Sequence, residues 1–240
     1  MMLVKEIDPR KYDGVVLTEE AILHWFKECD AVWLYDGDPN PKKPHAELTS
    51  GMCSNGFFDC MRVLCHPAFT EILALQLAQK LREQGVGPVD WVIGSPYAAI
   101  TFSYELARAL GAIHGFAEKD PADPQGKKMA WRRMKIPPQS RILQVEELIT
   151  TSGTFQEVRR AVREGNGDSV NFLPAVATLV HRPPKLPAYY SDDLSRMSIH
   201  VFSLIEREVW AVKPEECPLC KAGSRRVRPK SNWAELTGKA

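Results

Sequence analysis

A chain of 240 residues can bury one good core and does not require several domains. Apolar residues make up 44% and charged residues 25%, as in an ordinary soluble globular protein, and 31 basic against 30 acidic side chains leave a formal charge of only +1. That balance excludes the broad positive field of a nucleic-acid binder, so an anionic ligand would need a local site, and no stretch approaches the roughly 18 apolar residues of a membrane span.

The opening residues Met1-Met2-Leu3-Val4-Lys5-Glu6-Ile7-Asp8 break with charge too early for a signal peptide. Six cysteines (29, 53, 60, 65, 217 and 220) are too sparse for a disulfide scaffold. The expectation is a soluble, cytoplasmic protein with no nucleic-acid or membrane partner.

Thr18 to Cys29 reads as a capped helix, with Thr18 as N-cap and two acids in the first turn. Asp36 to Pro44 is loop, punctuated throughout by Pro and Gly. From Pro67 to Gln84, Phe69, Ile72, Leu73, Leu75, Leu77 and Leu81 recur at roughly helical spacing. Asp90 to Gly94 is a short buried strand, Thr101 to Leu110 a helix ended by Gly111, and Ile113 to Phe116 another short strand. Asp120 to Ser140 is polar, bears prolines and shows no clear period, which suits a functional or mobile loop. Arg141 to Val145 is a strand, Phe155 to Arg163 a helix, and Val170 to Val180 a strand with an uneven start at Pro174. This alternation predicts an α/β fold with a mainly parallel sheet flanked by helices. After residue 182 the chain turns Pro-rich, becomes apolar again from Ile199 to Ile205 and ends in a basic tail.

The most informative segment runs from Arg141 to Thr154. An apolar strand enters two acids, Glu146 and Glu147, and then the turn Thr150-Thr151-Ser152-Gly153-Thr154 before a helix. Ligands of open α/β sheets sit beyond the carboxyl ends of the strands. Backbone N–H groups and hydroxyls at the following helix N-terminus favour a phosphate. Acids beside a phosphate cradle would repel the ligand unless sugar hydroxyls or a Mg²⁺ ion stood between them. No G-x-x-x-x-G-K-[ST] is present, and Gly85-x-Gly87 precedes a strand instead of following one.

This segment resembles the ribose-phosphate signature of type I phosphoribosyltransferases, in which an apolar strand, two acids and two hydrophobic residues precede Thr-Thr-Gly-Gly-Thr or Ser. Glu147 stands where Asp is usual, and Ser152 replaces the first of two glycines. Three further stretches, in order, are similar to orotate phosphoribosyltransferases in particular: Leu48 to Asp59, Asp90 to Ile100, and Cys217 to Gly223 with Arg228-Pro229-Lys230. Thr49 and Met52 occupy positions where that family usually has a basic residue, and the loop lacks its Lys-x-His-Gly element.

The resemblance implies an N-terminal hood over residues 1–60, a phosphoribosyltransferase core over 61–205 and a C-terminal tail with the CxxC turn over 206–240. It implies transfer of ribose 5-phosphate from 5-phosphoribosyl 1-diphosphate to a nucleobase, orotate before others, by a homodimeric, Mg²⁺-using enzyme of pyrimidine nucleotide synthesis. Thr150, Thr151, Ser152, Gly153 and Thr154 would hold the 5-phosphate, and Glu146 and Glu147 the ribose hydroxyls and, directly or indirectly, the Mg²⁺. Lys119 would add charge at the catalytic centre; Ser95, Pro96 and Tyr97, with Lys127 and Lys128, would contact the diphosphate, and Phe57 and Phe58 would line the base pocket. A non-catalytic sensor on the same fold and a transferase for another base stay open as alternatives.

Cys217-x-x-Cys220 is half of a zinc site, and Cys60, Cys65 and His66 would complete it only if the fold brought them close. A metal-free turn is the reading preferred over zinc. The histidines, among them His45, His114 and His181, are scattered and read as surface or core.

Overall fold

The structure is a computed structural model and describes residues 7–167 and 169–239. Met1 to Glu6, most of the opening read against a leader peptide, lie outside the described residues. Among the described residues no helix is long and apolar enough to cross a membrane.

Thr18 caps α1 (Glu19–Glu28) as its spacing predicts, its hydroxyl accepting the Ala21 N–H at 3.2 Å. Four short strands follow, β1 (Val32–Leu34), β2 (His45–Glu47), β3 (Cys53–Ser54) and β4 (Gly56–Phe58), and then α2 (Met61–Leu64). Helix α3 (Pro67–Glu83) opens with proline in its first turn, where no N–H is missed. Strand β5 (Trp91–Gly94) leads into α4 (Ala99–Leu110), which Gly111 ends at φ 69, a left-handed conformation that glycine takes without a Cβ penalty. Next come β6 (Ile113–Phe116), β7 (Glu118–Lys119), β8 (Met129–Ala130), β9 (Arg141–Ile149), α5 (Gly153–Asn166) and β10 (Asn171–His181). The chain closes through β11 (Tyr190–Ser191), β12 (Ser198–Glu206), β13 (Ala211–Val212), α6 (Pro218–Lys221), β14 (Arg226–Val227) and α7 (Trp233–Thr237).

The central sheet has six strands in the order β11-β12-β10-β9-β5-β6, and every pairing is parallel except β11 with β12. Strand alternation divides its side chains between two layers. On one face Val92, Leu143, Val145, Ala177 and Leu179 pack with α1, α3 and α4 through Phe26, Leu73, Leu77 and Phe102. On the other, Trp91, Ile93, Ile142 and Phe172 pack under Val158, Ala161 and Val162 of α5. Pro174 has no N–H for a ladder, and the β9–β10 register shifts between Phe172 and Val176, which is the uneven start the sequence predicts.

A second sheet, ordered β13-β3-β2-β14, interleaves strands from the two ends of the chain, with β14 parallel to β2. The segment read as a loop between Asp120 and Ser140 is more ordered than its composition predicts. Strand β8 pairs with β7, and Met129, Trp131 and Ile136 are buried in the layer beneath α5. The period was hidden because only three apolar residues anchor it. Polar contacts fix the remainder: Asp123 accepts the backbone N–H of Gln125, Lys127 and Lys128 at 3.1, 2.6 and 2.7 Å.

Candidate active site

Strand β9 carries the two acids to its carboxyl end, and their opposite parity sends them to different layers. Glu146 shares its face with Gln144 on the α5 side, is 2% exposed, and accepts hydrogen bonds from the Ser95 hydroxyl and, at 3.2 Å, from the Gln144 amide. Burial drives its pKa up to about 8 and the neighbouring Glu147 adds to the rise; the Ser95 and Gln144 hydrogen bonds and the charge of Lys119 work against it. Gln144 in turn accepts from Arg159 Nε at 3.2 Å, and Arg159 reaches Asp192 at 3.0 Å, both of them fully buried. A hydrogen-bonded line thus runs from Ser95 through Glu146, Gln144 and Arg159 to Asp192.

Beyond β9 the chain turns through Thr150 to Ser152 into α5. Ser152 occupies the N-cap without a side-chain cap bond, which leaves the first-turn N–H groups free of a capping hydroxyl. Thr151, Gly153 and Thr154 line a cavity of about 420 Å³ together with Lys119, Lys127 and Lys128. Three lysines facing a helix N-terminus make an anion-binding surface. Residues of the signature and of the basic segment, widely separated along the chain, therefore meet here.

A second cavity, also about 420 Å³, opens on the other side of the acid pair. Glu147 and Leu148 line it with Phe57, Phe58, Arg182 and Lys230. The aromatic pair are also packing residues, Phe58 edge-on to Phe26 at 6.0 Å and Phe57 against Trp233 at 6.3 Å. Burial raises the Glu147 pKa. Arg182 shows the complementary effect: burial lowers its pKa, and its buried Nε finds no hydrogen-bond partner among the described residues. A buried guanidinium nitrogen without a partner is costly, and Arg182 lines a cavity where a ligand anion would offset that cost.

Sequence reasoning did not name Arg182, and it quoted Lys230 only within the Arg228-Pro229-Lys230 stretch that resembles the family, with no role. Arg182 follows β10 directly, so the rule that ligands gather beyond the carboxyl ends of strands was the signal available. Ser95, Pro96 and Tyr97 line neither cavity; Ser95 is spent on Glu146, Tyr97 is 74% exposed, and the Pro96–Tyr97 peptide is cis.

The Cys217–Cys220 turn is not joined by Cys60, Cys65 or His66. Because β14 runs parallel to β2, the tail lies against the front strands, and the side chains gathered around the turn are His45 and Cys53. His45, read as one scattered histidine among several, is fully buried there.

No protein-family model matches the chain. Among curated proteins, an orotate phosphoribosyltransferase of Pelotomaculum thermopropionicum is 36% identical over 187 residues, covering 78% of this chain and 88% of the relative. One of Heliobacterium modesticaldum is 33% identical over 215 residues, 90% of this chain and 99% of the relative. Among solved structures, the orotate phosphoribosyltransferase of Aeropyrum pernix superposes with a TM-score of 0.51 at 19% identity, covering 76% of this chain and 92% of the other. The parallel sheet between helical layers, with acids and a Thr-rich turn at the end of one central strand, is that of a type I phosphoribosyltransferase, an enzyme of the glycosyltransferase class. The two lengthy curated matches narrow the class further. This chain belongs to the orotate phosphoribosyltransferase family.

Proposed function

We propose that this chain transfers ribose 5-phosphate from 5-phosphoribosyl 1-diphosphate to orotate and releases diphosphate, a step of pyrimidine nucleotide synthesis. The observation that carries the choice of acceptor is Arg182, a half-buried cation whose buried Nε has no partner among the described residues and which lines, with Lys230, an aromatic-walled cavity. An acceptor that is flat and bears a carboxylate satisfies both the rings and the charge. The family membership supports the same reading.

In the reaction the C1–oxygen bond to diphosphate breaks as the C1–nitrogen bond to the base forms; the bond electrons leave with diphosphate, and the proton on the base nitrogen is released to solvent. The free N–H groups at the α5 N-terminus, with Thr150, Thr151, Ser152, Gly153 and Thr154, hold the 5-phosphate and fix the sugar against the acids. Glu147, on the cavity side of β9, accepts from ribose hydroxyls, while Glu146 holds Ser95 and the floor of the site. Lys119, Lys127 and Lys128 face the phosphate turn and offset charge growing on the leaving diphosphate, and the turn Ser95-Pro96-Tyr97, which follows the strand paired with β9, adds contacts to the same group. The donor set suits Mg²⁺: Glu147 is a half-buried carboxylate with no ion-pair partner among the described residues, and a cation beside it would oppose the burial that raises its pKa. Mg²⁺ bound there with the diphosphate supplies charge neutralisation of the leaving group.

The reading extends to the remaining parts. The described residues of the 1–60 segment, with parts of the 206–240 tail, form a hood over the 61–205 core, the enzyme works in the cytoplasm, and two copies associate. The test is diphosphate release by purified protein with Mg²⁺, the diphosphate donor and a panel of bases. Orotate-dependent release is expected, lost in Glu147→Gln. In Arg182→Gln the KM for orotate rises about tenfold to a hundredfold, the cost of a hydrogen bond to a charged group, ~1.5–3 kcal/mol, while the KM for the donor stays near its original value. Release with a neutral base but not orotate would sink the choice of acceptor, and release with none would sink catalysis and leave a ligand-binding protein.

A further inference from the structure

Far from the acid pair in sequence, one imidazole and three thiols meet in the second sheet. His45 begins β2, Cys53 begins β3, Cys217 caps α6 and Cys220 lies within it, and their four ligand atoms all fall within 4.8 Å of one another. The measured edges are 3.6 Å from Cys53 Sγ to Cys220 Sγ, 3.6 Å from His45 Nε2 to Cys217 Sγ and 3.5 Å from His45 Nε2 to Cys220 Sγ. A tetrahedral zinc with Zn–S of about 2.3 Å and Zn–N of about 2.0–2.1 Å requires S–S edges of about 3.8 Å and S–N edges of about 3.6 Å. These three separations match that figure within a few tenths of an ångström, and the other three edges lie within 4.8 Å.

The surroundings orient the imidazole for the task. Ser224 Oγ donates to the Lys43 carbonyl at 2.5 Å, so its hydroxyl proton is already committed. It stands 2.8 Å from His45 Nδ1 and can only accept there, which places the ring proton on Nδ1 and turns the Nε2 lone pair toward the sulfurs. A hydrogen bond of this kind behind a ligating imidazole fixes its tautomer and its angle. The alternatives explain less. A disulfide needs sulfurs about 2.05 Å apart and would use two of the three thiols. A metal-free cluster would bury three weak donors around a single good acceptor.

We propose that His45, Cys53, Cys217 and Cys220 form a closed structural zinc site, Cys₃His, that fastens the C-terminal tail to the front strands. With four protein ligands no position is left open for substrate, so the role is architectural. The site staples the sheet in which β2 and β3 from the front lie between β13 and β14 from the tail. Zinc is favoured because three thiolates and one imidazole in a tetrahedron suit a borderline-soft ion with no geometric preference of its own.

The experiment is metal analysis of the full-length protein purified without chelators, with X-ray absorption at the zinc edge. About one zinc per chain in a shell of three sulfurs and one nitrogen is expected. Replacement by cobalt should give the intense visible bands of a tetrahedral thiolate site. Zinc content should fall to near none in Cys53→Ser and His45→Ala, and stay unchanged in Cys65→Ser, whose exposed thiol lies outside the cluster. If the two ligand variants fail to fold, wild type stripped by a chelator and titrated with cobalt gives the same reading. Metal-free protein that develops no cobalt–thiolate bands overturns the proposal, as does a Cys53–Cys220 disulfide in protein isolated under reducing conditions.

Discussion

Glu146 couples the chemistry of the site to the stability of the fold. Its pKa in the folded chain is pushed to about 8, against 4.5 for the free side chain, chiefly by burial. Between those values the folded state keeps a proton that the unfolded state has lost, so this residue makes stability fall as pH rises from about 4.5 to about 8. Glu146→Gln removes the ionisable group and keeps an acceptor for Ser95. The variant should match wild type below that window and exceed it above, by on the order of a few kcal/mol, in denaturant midpoints taken across the pH range. Parallel curves would refute it. At this scale the sequence showed Glu146, Glu147 and the Thr-rich turn because they fall within nine consecutive residues, at the end of one strand and in the turn after it. Arg182 and His45 stayed hidden because neither carries a local pattern: one acquires its meaning from a cavity wall and the other from cysteines brought by the tail.

Among the elements, α5 and the end of β11 are joined by the most demanding contact in the core. Asp192 follows β11 directly, and its carboxylate, although burial works to raise its pKa, is held far below the usual range by the Ser195 N–H and by Arg163 and Arg159. Arg159 also donates to the Leu173 and Ala175 carbonyls, at 3.2 and 3.0 Å, where Pro174 interrupts the ladder. The guanidinium thus satisfies the carbonyls of the bulge. Asp192→Ala leaves that cation buried and unpaired and should destabilise the chain by about 3–5 kcal/mol in chemical denaturation. A loss under about 1 kcal/mol would show that water replaces the carboxylate. The elements themselves were legible in proportion to their period: α3 declared itself by its apolar spacing, while β7 and β8, at two residues each, lie below the length at which alternation can be recognised.

At the scale of the whole molecule, the outer face of α4 and edge strand β6 carries Tyr104, 56% exposed, and Ile113, 55% exposed. Beside Tyr104 is an apolar groove of about 440 Å³ lined in part by Leu64, Ile100 and Phe116. Single exposed hydrophobes need no account, but a grouped set beside a groove suits a self-complementary contact. If the proposed dimer uses this face, Tyr104→Glu should convert it to monomer in light scattering; a variant that stays dimeric would place the contact elsewhere. The second sheet has a different consequence. Its strands pair residues as distant as His45 and Arg226, so it can form only after nearly the whole chain is available. On the ribosome, β9 and the α5 turn emerge and can settle while β2 and β3 still wait for their neighbours. A nascent chain halted before Cys217 would already own its phosphate-facing turn and β13 yet lack Lys230 of the other cavity and strand β14, and the bare edge of β2 would be left to the chaperones.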